Sequence, residues 1–177
     1  MLAGNRLTLL ENGAGYFPAL LDAIARARRE IHLETYIFEL DEVGQRVAQA
    51  LIDAAARGVR VRVLADGIGS RTFDVAWRAR LRSAGIDLLF YRPERSPYRF
   101  KRARLRRMHR KIVIIDACIA FVGGINIVAD HTGQATASVR YDYAVRVEGP
   151  ILADICGAAQ RLWLLVRWSH LRRRPQI

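Results

Sequence analysis

Apolar positions recur with two periods along this chain, and their order predicts the fold. Arg6–Leu10 reads as a short strand closed by Glu11-Asn12-Gly13. Within Tyr16–Arg29, Phe17, Leu20, Leu21 and Ile24 recur at helical spacing, with Asp22 and an arginine cluster opposite. Ile31–Phe38 alternates, so Ile31, Leu33 and Ile37 line one face and His32, Glu34, Tyr36 and Phe38 the other. Asp41–Arg57 is a second helix with Val43, Val47, Ala50, Leu51 and Ala54 inward, and Gly58 stands where a helix commonly ends in a left-handed residue. Val59–Asp66 is a strand, Thr72–Ala84 a third helix and Ile86–Tyr91 the next strand. Alternating strands and helices predict an α/β sandwich with a mixed, largely parallel central sheet and helices on both faces. Ligands of such sheets bind at the carboxyl ends of strands, here Glu34–Asp41 and Asp66–Ser70. The second segment is either a ligand loop or a turn rich in positive-φ positions.

The second half breaks the pattern. Arg92–Arg107 is a basic loop with Tyr98 and Phe100 interleaved. Met108–Ile115 and Ile119–Val122 are strands joined at Asp116-Ala117-Cys118; Val128–Val139 is a small polar loop, and Tyr141–Glu148 alternates as a strand. Gly149-Pro150 opens a last helix, to about Trp168, before a basic tail. Trp77 and Trp163 fall at helical spacing as core residues. Neither a repeat nor a second domain is visible, so residues 1–177 form one expected domain.

The chemistry concentrates in Met108–Asn126. In a strand His109 and Lys111 share a face, which sets an imidazole beside an ammonium. Asp116 has the opposite parity, which predicts a structural role at the hairpin. Gly123-Gly124 allows close backbone approach to a ligand and delivers Asn126. A nucleophile or base, a cation and an amide donor make an inventory for handling phosphate.

Charge narrows the partner. A net charge of +12 points to nucleic acid, an anionic membrane surface or a phosphorylated substrate. Only two of the basic residues are lysines, Lys101 and Lys111, and one of them sits inside the candidate site. Cys118 and Cys156 lack metal-ligand spacing, so neither a zinc site nor a disulfide framework is expected. No apolar run reaches the ~20 residues of a membrane span and no signal-peptide pattern is present, so a soluble or peripheral protein is expected.

His109-x-Lys111, four residues, Asp116, six residues and Gly123-Gly124-x-Asn126 together resemble the HKD motif of the phospholipase D superfamily. Gly124, where the family often has Ser, is similar to the form in bacterial cardiolipin synthases. Ile31–Phe38, Asp66–Ser70 and Tyr141-Asp142 followed by Val145–Pro150 resemble the same subgroup, over nearly the whole chain but only the amino-terminal half of a two-motif synthase.

The resemblance implies a phospholipase D-like α/β/α sandwich and a phosphatidyltransferase or phospholipase acting on glycerophospholipids such as phosphatidylglycerol. By it, His109 forms a covalent phosphohistidine, Lys111 and Asn126 hold the non-bridging oxygens, and Asp142 orients His109. Asp116 belongs to the same motif, and no metal or other cofactor is implied. Glu34 either reaches the substrate or is a buried, hydrogen-bonded glutamate; Gly123 and Gly124 approach the ligand. The family mechanism needs a second histidine to protonate the leaving alcohol, so the implied partner is a second copy of the chain or a missing second HKD half. The basic loop and tail suit anionic lipid at a membrane surface. The alternatives are a single-motif dimeric endonuclease, whose nucleic acid would meet Tyr98 and Phe100, and an inactive half-domain that only binds anions. His32, His131 and His170 receive no role.

Overall fold

The computed structural model describes residues 4–93, 107–129 and 141–172. Most of the basic loop, the polar loop with His131 and the tail beyond Arg172 lie outside the described residues. Seven strands, β1 (Arg6–Glu11), β2 (Glu30–Thr35), β3 (Arg60–Asp66), β4 (Asp87–Tyr91), β5 (Ile112–Ile115), β6 (Ile119–Gly123) and β7 (Tyr143–Glu148), form one sheet in the order β1-β7-β6-β5-β2-β3-β4. Four helices accompany it: α1 (Asn12–Arg26), α2 (Glu42–Ala56), α3 (Val75–Ser83) and α4 (Leu152–Leu171).

The sheet is mixed, as expected, but its parallel part is smaller than the βαβ alternation implies. Only β2–β3 and β3–β4 pair in parallel. The β5–β6 hairpin, β7 and β1 are all antiparallel to their neighbours. The physical reason is that β1 does not join β2 through α1. It crosses to the far edge and pairs with β7, where Leu7 meets Val147 and Leu9 meets Val145.

Apolar alternation explains the layers. Ile31, Leu33, Val61, Val63, Val113 and Ile115 face one side, where α1, α2 and α3 supply Leu20, Ile24, Val47, Leu51 and Leu81. On the other side α4 is the only helix among the described residues: Leu152 and Ala159 meet Ile114, Ala120 and Val147, and Trp163 and Val166 meet Leu64 and Met108. Beside it an apolar groove stays open, lined by Leu7, Ile112, Val122, Val145, Val147 and Ile155. Trp163 is core as expected, and Trp77 packs at the edge of the larger cluster.

Two elements depart from the periodic reading. The strand ends at Thr35, five residues into the Ile31–Phe38 run, and Phe38 turns back into the larger core instead of following Tyr36's face. The cause is the bend at Tyr36-Ile37, where the Thr35 hydroxyl donates to the Ile37 carbonyl. Residues Met108–Lys111 likewise precede β5 and do not belong to it.

Candidate active site

The carboxyl ends of β2, β3 and β6 and the amino ends of β5 and β7 lie along one edge of the sheet. The candidate residues gather there. Lys111 is buried, and its Nζ lies 3.1 Å from both Nδ1 and Nε2 of the exposed His109 ring. His109 and Lys111 thus meet as strand parity predicts, although both precede β5, and the Gly123 N–H donates to the Lys111 carbonyl at 3.3 Å. Burial lowers the Lys111 pKa from its ordinary value, and the negative charge of Asp142 opposes that shift.

Asn126 arrives by backbone pairing. The Ile127 N–H donates to the Ile37 carbonyl and the Glu39 N–H to the Ile127 carbonyl, so the segment after Gly124 runs alongside the bend after β2. There the Ile37 N–H donates to Asn126 Oδ1 at 3.0 Å. With its carbonyl end held by the backbone, the Asn126 amide offers its NH2 end, which is a donor only.

The remaining candidate residues make contacts of other kinds. Asp142 makes no hydrogen bond to His109 among the described residues; its Oδ1 accepts the Tyr143 N–H at 2.7 Å, and its charge bears on Lys111. Its backbone is clamped by Asn12, whose Oδ1 accepts the Asp142 N–H while its own N–H donates to the Asp142 carbonyl. The glycine pair is closely approached by the protein itself. A Cβ on Gly123 would lie 2.4 Å from the Tyr143 carbonyl oxygen, and one on Gly124 would lie 2.0 Å from Asp142 Oδ1. Glu34 is fully buried on the α4 side. Its Oε1 lies 2.9 Å from His32 Nε2 and its Oε2 lies 3.0 Å from Arg110 Nε. Oε2 faces the Arg110 charge without a hydrogen bond to it, and the glutamate's burial is that of the buried alternative.

Asp116 stands at the other end of β5 from His109, in the hairpin where its parity predicts a structural role. Asp116 and Ala117 take left-handed φ values of 53° and 56° in the hairpin turn. The carboxylate accepts the N–H groups of Arg28, Arg29 and Glu30 at 2.7–2.9 Å. Burial pushes its pKa up, but those backbone donors and the Arg29 charge outweigh burial and hold it below the usual carboxylate range.

Sequence reasoning missed three positioning groups. Tyr36 stacks at 5.0 Å from the His109 ring and 5.5 Å from Lys111 Nζ, forming a wall of the site. Asp66 is buried and is not a ligand: it accepts the Ile68, Gly69 and Met108 N–H groups and pairs with Arg107 at 2.7 Å, which pins the residues entering His109. The Asp66–Ser70 segment is thus a brace, and its glycines serve close approach, since a Cβ on Gly69 would lie 2.3 Å from the Tyr36 carbonyl oxygen. Asn12 is the third. Its φ of 51° at a helix start was the available signal, because Asn tolerates that region.

Comparison with known proteins follows the same lines. Residues 20–163 match the family model described as the PLD-like domain of cardiolipin synthase. Cardiolipin synthase B of Salmonella typhi is 49% identical over 152 residues, covering 86% of this chain and 37% of that protein. The Escherichia coli K12 protein of the same name is 41% identical over 182 residues, covering 97% of this chain and 44% of the relative. The chain thus spans less than half the length of these relatives. Among solved structures, the phospholipase D family member Nuc from Salmonella typhimurium superposes with a TM-score of 0.64 at 20% identity, over 90% of this chain and 95% of that one.

Proposed function

The chain belongs to the PLD-like domain family of cardiolipin synthases, and from that membership we propose that it forms one half of a phosphatidyl-transfer site. The observation that carries the reading is the Lys111 ammonium at 3.1 Å from the His109 ring nitrogens, beside an Asn126 amide turned to donate. A ring nitrogen of His109 attacks the phosphorus of a glycerophospholipid such as phosphatidylglycerol. The new N–P bond forms as the P–O bond to the headgroup alcohol breaks. The alcohol leaves with a proton supplied by a facing acid. An acceptor hydroxyl, that of a second phosphatidylglycerol in cardiolipin formation or water in hydrolysis, then attacks the phosphorus, giving its proton back to the facing residue as the N–P bond breaks and frees the histidine. Lys111 and Asn126 hold the non-bridging oxygens through both displacements, where negative charge builds.

The facing acid is a second histidine from a second HKD unit, either another copy of this chain or the other half of a longer protein. Such a pair works at a membrane surface, where its substrate resides. Phosphatidylglycerol vesicles should yield cardiolipin and free glycerol, and lipid labelled at phosphorus should leave an acid-labile, base-stable phosphoryl adduct. His109→Ala should remove both adduct and product, reducing turnover by at least about 1,000-fold. An adduct that survives this substitution overturns the covalent role.

One observation favours a second reading: the net charge of +12 suits nucleic acid as well as anionic lipid. That reading is a single-motif dimer that cleaves nucleic acid. It predicts cleavage of labelled single-stranded DNA and no cardiolipin.

A further inference from the structure

The last helix carries a surface that the phosphate site does not use. Over its final turns α4 exposes Leu164, Leu165, Trp168 and Leu171 at 53, 70, 59 and 55%, while Trp163 and Val166 are buried on the opposite side. With Arg161 and Arg172 these residues recur every three or four positions and so line one face. Arg167 is exposed beside them, and the Arg172 guanidinium lies 5.1 Å over the Trp168 ring. Neither Asp nor Glu occurs after Asp154 in the sequence. Val166 packs in one cluster with Met108, the residue before His109, so the strip stands at the site's end of the sheet.

We propose that this strip docks the protein on an anionic phospholipid bilayer. Leu164, Leu165, Trp168 and Leu171 enter the headgroup–acyl boundary, and Arg161, Arg167 and Arg172 meet lipid phosphates. Leucine and tryptophan flanked by arginine on one helix face is the composition that lies in a membrane interface. Charge argues against a second copy as the occupant. A two-fold axis through the strip would set Arg161 and Arg172 against the same arginines of the partner, with no carboxylate after Asp154 in the helix to pair them. The inference rests on the phospholipid reading above and adds to it the face that meets the bilayer.

The test is cosedimentation of the full chain with vesicles of phosphatidylglycerol and phosphatidylcholine, against phosphatidylcholine alone. Binding should require phosphatidylglycerol. It should weaken by about tenfold or more in the combined variant L164Q, L165Q, W168Q, and by about fivefold for each of Arg161→Gln, Arg167→Gln and Arg172→Gln. Brominated acyl chains should quench tryptophan emission in the wild type but not in Trp168→Phe, which keeps the apolar surface. Wild-type affinity in the combined variant, quenching unchanged in Trp168→Phe, or a dimer that the combined variant converts to monomer would each overturn the inference. His109→Ala should dock normally. Docking without cardiolipin formation therefore counts against the proposed function alone. Conversely, an adduct formed on a soluble short-chain lipid, with the docking signals absent, counts against the docking face alone.

Discussion

Lys111 carries two opposing influences, and their balance decides what Asp142 does. Burial lowers the lysine's pKa, and the Asp142 charge raises it. Under the proposed function the ammonium must stay charged to hold phosphate oxygens, and Asp142 would then protect the alkaline side of the activity range. Asp142→Asn lets burial act unopposed, and the alkaline limb of the pH–rate profile should move to lower pH. A profile of the same shape with uniformly reduced turnover would return Asp142 to the role of bracing His109. The contact of His109 with Lys111 was legible from spacing, because the two share a face. The partner of Asp142 was not legible, because it depends on how far the carboxylate leans over Gly124.

At the scale of the element, the β5–β6 hairpin is anchored by one carboxylate. Asp116 gathers three N–H groups from the segment entering β2, and the Arg29 guanidinium donates to its carbonyl at 2.7 Å. Asp116→Ala leaves those donors to solvent or unpaired and should cost about 2–3 kcal/mol in urea unfolding. The pH dependence has a definite sign. The folded pKa is depressed, so the carboxylate's contribution is full above the unfolded value near 3.8 and is lost as pH falls through the folded value. The stability gap between wild type and variant should therefore narrow in acid; a gap independent of pH would refute the anchor. Elements with strong periods, such as α2 and β3, were legible nearly to the residue. The direction of the sheet was not. Alternation along the chain says which face a side chain takes, but nothing local reveals that β1 crosses to β7. The Ile31–Phe38 run failed at Tyr36 for a related reason: its bend is set by Ser70, whose hydroxyl donates to the Tyr36 carbonyl and accepts the Phe38 N–H.

For the whole molecule, the proposed chemistry needs two histidines, and this chain brings one HKD motif. If two copies share the site, a pair made of one wild-type and one His109→Ala subunit lacks one of the two histidines. Excess His109→Ala protein should then poison wild-type activity in step with the fraction of mixed pairs. Activity that stays constant on mixing, with a monomeric mass by light scattering, would exclude the shared-site model and leave the second half of a longer protein as the partner. The sheet order bears on synthesis as well. β1 is made first, yet its register lies against β7, and Asn5 accepts the Ile151 N–H across 146 residues of sequence. A nascent chain can therefore assemble β2, β3 and β4 with their helices while its leading strand still waits for a mate. The unpaired backbone N–H and C=O groups of β1 then remain available to chaperones, or to neighbouring chains on the same messenger, until nearly all of the domain has left the ribosome.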